Sequence, residues 1–241
     1  MRRKFLAERL WPTQPGRDSR SRRPFHCTLA LLILILSAVA GLAASTQEPK
    51  KPVENSPRTS YSDLLGRVKK GDSTVDFKEL RLSYADTSAY NPYGNDRDTR
   101  VKMFAALKAK EFQQAVESAE KILANNFVEL NAHFAAYVGN RELGHADKAT
   151  FHKFMFDGLI KSITGSGDGH SPETAFIVIS TDEEYVLFNY LGLRAAEQSL
   201  ITKNGHSFDR MTATNPKTNE TMVYFFNIDK PFNWLGQSLK K

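Results

Sequence analysis

The stretch that decides the fold is residues 112–149, FQQAVESAEKILANNFVELNAHFAAYVGNRELGHADKA. Phe112 lies three residues before Ala115, and Ala146 lies three residues before Ala149, so the same spacing occurs twice. The two alanines at the ends of these frames are 34 residues apart. Because small residues at matched positions let paired helices approach closely, this spacing predicts helical hairpins.

A period of 34 residues with a small residue in the second helix resembles the tetratricopeptide (TPR) repeat. About one and a half such units can be recognised, whereas roughly three are needed for a repeat array to be stable alone. We therefore expect residues 60–165 to form a TPR-like helical region whose exposed ends are covered by the rest of the chain.

The last third of the chain is predicted to form the sheet that covers the exposed ends of the helical region. Residues 176–179 (FIVI) form a short apolar run typical of a buried strand, and residues 221–228 (TMVYFFNI) predict another. Asn204-Gly205 suits the two-residue turn of a hairpin. A helix is expected from Ser180, with Thr181 and Glu184 in the register of a capping box.

These elements predict an α+β fold in which N-terminal TPR-like helical hairpins pack on a small C-terminal sheet of about four strands with one helix. Residues 166–241 are expected to form this α+β region and to complete the same domain as residues 60–165. Neither half is expected to fold alone.

The N-terminal residues 1–44 are typical of a targeting segment. A basic stretch precedes the apolar run 29–36 (LALLILIL), and small residues follow it. Two interpretations stay open, a cleaved signal peptide and an uncleaved N-terminal anchor, because the apolar segment is shorter than a confident membrane span. Residues 45–59, with three prolines, predict a disordered linker. The protein is thus expected to be exported, either periplasmic or secreted, or anchored in the inner membrane.

The charge distribution argues against binding to nucleic acid. The chain has a formal net charge of +6, but residues 1–44 hold eight Lys or Arg against two acids, and the remainder is balanced. We expect no nucleic-acid partner, and membrane contact only through an uncleaved N-terminal segment. The single cysteine, Cys27, lies in the leader, so disulfides, thiolate zinc sites and cysteine nucleophiles are excluded from the rest.

A family resemblance runs from Tyr61 to Leu235. It is carried by Asp76-Phe77, Leu80-Arg81, Tyr84, Tyr90, Pro92-Tyr93, His133, His152, Ser166-Gly167-Asp168-Gly169, Ala175-Phe176, Glu183-Glu184-Tyr185 and residues 224–229 (YFFNID). This combination resembles the bacterial domain-of-unknown-function family 4919. The resemblance implies an exported bacterial protein with TPR-like helices, and it brings no known activity or catalytic residues.

Candidate ligand-binding residues can be named, although catalytic residues cannot. The chain has no phosphate-binding loop, nucleophile elbow or HExxH motif, and we expect no cofactor and no metal site. The candidates are polar residues expected at the junction of the two halves or on paired helices: Asp168, His170, Glu183, Glu184, His133 and His152.

Each candidate also has a structural interpretation. Asp168 lies in the glycine-rich loop 165–171 (GSGDGHS), where it can cap its own turn. His133 and His152 can approach each other across a helical hairpin, but a metal would need a third ligand, for which Asp157 and Asp168 are nearest in sequence. Packing with hydrogen bonds to the backbone is the simpler role for both histidines.

Three functions remain open. The sequence favours a TPR-like interaction or scaffold module of the bacterial envelope that binds a protein or peptide partner. The second is a small-ligand binder or hydrolase-like enzyme with its site at the junction of helices and sheet. The third is a purely structural envelope protein. Nothing in the motifs favours an enzyme.

Overall fold

The computed structural model describes residues 59–94 and 96–240. This part of the chain forms eight α-helices and a four-stranded sheet, which confirms the predicted α+β class. The leader, nearly all of the predicted linker and Cys27 lie outside the described residues. Among the helices that are described, none combines the length and the apolar character needed to cross a bilayer.

The helical elements come first in the chain. The helices are α1 (Tyr61–Lys69), α2 (Phe77–Tyr84), α3 (Arg97–Ala109), α4 (Phe112–Asn125), α5 (Leu130–Glu142), α6 (Ala146–Thr164), α7 (Thr181–Tyr190) and α8 (Asp229–Ser238). The strands are β1 (Phe176–Ile177), β2 (Arg194–Lys203), β3 (His206–Thr214) and β4 (Thr221–Asn227).

The sheet has the strand order β1-β4-β3-β2, in which β2, β3 and β4 are antiparallel neighbours and β1 runs parallel to β4. The predicted turn joins β2 to β3, with Asn204 at φ 52° and Gly205 at φ 80°. Both angles are those of a primed hairpin turn. Strand β1 is shorter than predicted, because only two residues of the apolar run 176–179 pair with β4.

Helix α8 is an addition to the single helix expected in the C-terminal half. Pro231 occupies the first turn of α8. Proline is tolerated there because the N–H groups of the first turn have no intrahelical acceptor. Pro231 is therefore compatible with a helix that begins at Asp229.

Helices α3 to α6 pack in sequence order, each against the next. Ala115 and Ala149, the two alanines that define the 34-residue spacing, are both buried. At the crossing of α4 and α5 the backbones approach closely, since a Cβ atom built on Gly139 would lie 2.5 Å from Val116 Cγ2. Gly139 therefore sets the distance between these two helices.

The larger hydrophobic core joins the two halves of the fold. It contains Leu64 from α1, Leu80 from α2, Leu159 from α6, Phe188 from α7 and Phe226 from β4. A smaller cluster lies among α3, α4 and α5. Helices α1, α2 and α6 thus bury apolar surface against the sheet and α7, which is the contact that the low repeat number led us to expect.

Alanine at Gly139 and at Gly66 should have opposite effects on stability. Gly139→Ala is expected to lower the free energy of unfolding by about 1–3 kcal/mol, because the added methyl group overpacks the α4–α5 contact. Gly66 lies in α1 with open space around it. Gly66→Ala should raise the free energy of unfolding by up to about 1 kcal/mol through helix propensity alone.

Urea unfolding of the two variants beside the wild type measures both changes. If the two variants had the same free energy of unfolding, this would contradict the close approach of α4 and α5.

Candidate functional site

Arg81, on α2, is fully buried and donates hydrogen bonds to three other elements. Its Nε donates to Ser162 Oγ of α6 at 2.9 Å, Nη1 to Glu183 Oε2 of α7 at 2.7 Å, and Nη2 to the carbonyl of Ile177 in β1 at 2.9 Å. A buried guanidinium needs such a complete set of partners. Four elements from the two halves of the fold meet at this side chain.

Glu183 completes the network at the start of α7. Its Oε2 also accepts a hydrogen bond from the backbone N–H of Ile179 at 2.8 Å. Burial raises the pKa of the Glu183 carboxyl, and the neighbouring Arg81 opposes that rise. The predicted capping box of Thr181 and Glu184 is wrong, because the N-cap is Ser180, it has no side-chain capping bond, and Glu183 is the residue that reaches back.

Glu184 points into a different buried environment and faces Asp209 of β3. Burial, and next the charge of Asp209, raise the pKa of Glu184 to about 9. Neither oxygen of Glu184 has a hydrogen-bond partner among the described residues, so nothing offsets the cost of burying a second negative charge beside Asp209, and the protonated form of Glu184 is favoured. Asp209 accepts a hydrogen bond from Gln198 Nε2 at 2.6 Å, and Tyr185 donates to Gln198 Oε1 at 3.1 Å.

Asp168 and His170 do not join the buried glutamates. Asp168 is exposed, and its Oδ1 accepts hydrogen bonds from the backbone N–H of His170 at 2.9 Å and from Thr174 Oγ1 at 2.5 Å. These hydrogen bonds lower the pKa of Asp168. The exposed His170 ring lies 5.5 Å from the ring of Tyr224. Asp168 therefore caps the turn that carries it.

His133 and His152 meet across the α5–α6 hairpin, with their Nδ1 atoms 3.0 Å apart. Because His133 Nε2 lies 2.9 Å from the carbonyl of Phe127, that nitrogen carries a proton and His152 donates to His133 Nδ1. Burial lowers the pKa of His133 to about 3 and that of His152 to about 4. Within the described ranges, no three His, Cys, Asp or Glu side chains are grouped closely enough to hold a metal ion.

An open groove runs along the outer side of α6. Its floor contains the rings of Phe77, Phe151 and Phe154, and the Phe77 and Phe154 rings contact edge to face at 5.2 Å. Two adjoining hollows of about 520 and 300 Å³ share Phe154. Gly158 makes room for the floor, since a Cβ atom there would lie 2.5 Å from the ring of Phe77.

The rim of this groove carries charges of both signs. Asp76 and Lys78 lie on the α2 side, and Asp147, Asp157 and Lys161 lie on α6. An aromatic floor with a mixed polar rim can bury an apolar side chain while it provides partners for polar neighbours. We call this surface, from Ser73 and Asp147 to Gly165, the α6 groove.

A comparison with protein families identifies the relatives of this chain. The family model described as Domain of unknown function (DUF4919) matches residues 48–235. The chain belongs to the DUF4919 family. No significant similarity was found to a curated protein or to a solved structure.

For this DUF4919 chain, sequence reasoning missed both the α6 groove and the role of Arg81. Phe151, Phe154 and Gly158 recur at helical spacing on one face of α6, and this pattern could have indicated a ring packed against the helix backbone. No local pattern distinguishes Arg81 from a solvated arginine, because its partners lie far away in the sequence.

Glu184→Gln should raise the free energy of unfolding above that of the wild type, and this difference should grow as pH rises. Between the usual glutamate pKa of 4.5 and the folded value of about 9, the unfolded state loses the Glu184 proton while the folded state keeps it, so stability falls with pH. Glutamine resembles the protonated acid and does not titrate. We expect the variant to gain on the order of 1–3 kcal/mol over the wild type at neutral pH and little near pH 4.5.

Urea unfolding of both proteins at several pH values between 4.5 and 9 measures this difference. The contribution of the buried histidines to the pH dependence cancels, because both proteins contain them. The exposed Glu117→Gln controls for the loss of one negative charge. A gain that stayed constant over this pH range would contradict the raised pKa of Glu184.

Proposed function

We propose that this protein is an exported interaction module that binds an extended segment of a partner protein in the α6 groove. The observation that carries the proposal is the aromatic floor of Phe77, Phe151 and Phe154, only partly buried within a rim of mixed charge. A helix face that contacts only solvent does not require apolar side chains. Three phenylalanine rings at one open surface are instead typical of an interaction site.

The dimensions of the groove favour an extended segment. It follows α6 from Asp147 to Gly165, which is about 27 Å at the rise of an α-helix. An extended peptide of about eight residues covers that length. Apolar side chains of such a segment would pack on the phenylalanine rings, and its polar groups would meet Lys78, Asp157 or Lys161 at the rim.

The consecutive packing of α3 to α6 and the 34-residue spacing of Ala115 and Ala149 support TPR-like hairpins as the scaffold of this groove. The leader of basic and apolar residues supports export, and the absence of cysteine after Cys27 fits an oxidising compartment. We propose the bacterial envelope as the place where the partner is met.

Site-specific photocrosslinking in the native host tests the proposal. A benzophenone amino acid at Thr150 or at Lys78, which both line the groove, should give a discrete adduct with one protein. The same amino acid at Glu117 or Lys121, exposed on α4 and outside the groove lining, serves as the matched control. Mass spectrometry of the adduct identifies the partner and the crosslinked segment.

Thr150→Arg places a long side chain over the floor of the groove. When the benzophenone amino acid replaces Lys78, this substitution should reduce the amount of adduct several-fold, because the arginine competes with the bound segment. Adducts of equal strength from groove and control positions would contradict a docking site at α6. The complete lack of adducts would favour a purely structural envelope protein instead.

A further inference from the structure

The outer edge of β2 is open to solvent. β2 is the last strand in the order β1-β4-β3-β2, and within the described ranges no strand pairs with its other side. Nearly all of its residues are exposed, and Leu200 has 54% of its surface exposed. A bulge interrupts the ladder between Ala195 and Gln198, so the regular edge begins at Gln198. The free N–H and C=O groups of such an edge can pair with a further strand.

The hydrogen bonds of the sheet determine which residues of β2 point to this edge. The carbonyl of Ser207 in β3 accepts from the N–H of Ile228 at 3.0 Å, so Ser207 is directed towards β4. Its partner in β2, Thr202, is therefore not bonded to β3. Because the direction alternates along a strand and this part of the ladder is regular, the backbone groups of Gln198, Leu200 and Thr202 all point to the open edge.

The sequence of β2 is complementary to itself in an antiparallel register. Two such edges form hydrogen bonds only if outward residues pair with outward residues. When Leu200 pairs with Leu200 of a second copy, Gln198 pairs with Thr202, and Glu197 lies opposite Lys203. The two-fold symmetry of the pairing produces this opposite-charge pair twice. Registers that place Glu197 opposite Glu197, or Lys203 opposite Lys203, bring like charges together and are unfavourable.

The same register covers the most exposed apolar side chain of β2. Residues that pair directly across two antiparallel strands have their side chains on one face and in contact, so the two Leu200 side chains would shield each other from water. Lys203 also lies 2.5 Å from Glu173, but the two side chains are 47% and 57% exposed. An ion pair that is so exposed contributes little to stability, and it does not prevent Lys203 from approaching a second carboxylate.

We propose that two copies of this chain associate by antiparallel pairing of their β2 strands, with Leu200 at the two-fold axis and Glu197 of each copy beside Lys203 of the other. A second copy is the favoured occupant of the edge, because the strand matches itself in both charge and hydrogen-bonding register. No residue of β2 lines the α6 groove, so this contact is independent of the partner proposed for that groove.

Charge reversal tests the contact. Light scattering of the chain purified from its native host is expected to show a dimer at about 100 µM. Glu197→Lys and Lys203→Glu each place like charges opposite each other at both ends of the pairing, so each variant alone should dissociate with a Kd about tenfold or more above that of the wild type. An equimolar mixture of the two variants should recover the dimer, because the heterodimer restores both opposite-charge pairs.

Glu117→Lys and Lys121→Glu, at exposed positions of α4, are the matched controls and should dimerise as the wild type does. A monomeric wild type would overturn the proposal and would leave the edge of β2 to an extended segment of another protein. A dimer that persisted equally in both β2 variants, or a mixture that stayed monomeric, would overturn it as well.

Disulfide trapping tests the register. Leu200→Cys places two cysteines opposite each other, where Cα atoms about 5.5 Å apart suit a disulfide. Thr202→Cys is the control on the same edge, because its two copies would lie about 14 Å apart along the strands. Under mild oxidation only Leu200→Cys should form a covalent dimer above the background of the wild type, whose single cysteine is Cys27. Equal amounts from both variants, or more from Thr202→Cys, would overturn the proposed pairing.

Discussion

A single buried guanidinium, that of Arg81, is the interaction on which the arrangement of the two halves depends. It carries a full charge at a position with no exposed surface, and it is stabilised by Ser162, Glu183 and the carbonyl of Ile177. A charge in such a place is tolerated only while every partner is in position. The network therefore requires α2, α6, β1 and α7 to be docked together, and it penalises any state in which one of them is displaced.

The proposed α6 groove depends on this network for its position. The α6 groove lies between α2 and α6, the helices that Arg81 and Ser162 connect. Glu183 Oε2 is held both by Arg81 and by the backbone N–H of Ile179, so one carboxylate oxygen fixes the start of α7 against α2 and β1.

Sequence reasoning predicted the features that are local. The spacing of Ala115 and Ala149 indicated paired helices, Asn204-Gly205 indicated the β2–β3 hairpin, and residues 221–228 indicated the strand β4. These patterns succeed because turn geometry and helical periodicity act within a few residues. The family resemblance was likewise confirmed over most of the chain.

The candidate site was predicted only in part, because its contacts are not local. Arg81 and Glu183 are 102 residues apart, and no spacing rule connects them. Glu183 and Glu184 were named together, yet neighbouring residues of a helix point in different directions. Glu183 therefore pairs with Arg81, whereas Glu184 lies near the charge of Asp209. Asp168 and His170 were expected near them, but the glycine-rich loop satisfies Asp168 within its own turn.

A double-mutant cycle on Arg81 and Glu183 tests the central claim most directly. Arg81→Met and Glu183→Leu are each expected to lower the free energy of unfolding by about 3–5 kcal/mol, since each leaves a buried charged partner uncompensated. The double variant, measured by urea unfolding, should lose clearly less than the sum, with a coupling energy of about 1–3 kcal/mol. Additive losses, or single variants as stable as the wild type, would contradict the claim that this ion pair joins the two halves of the fold.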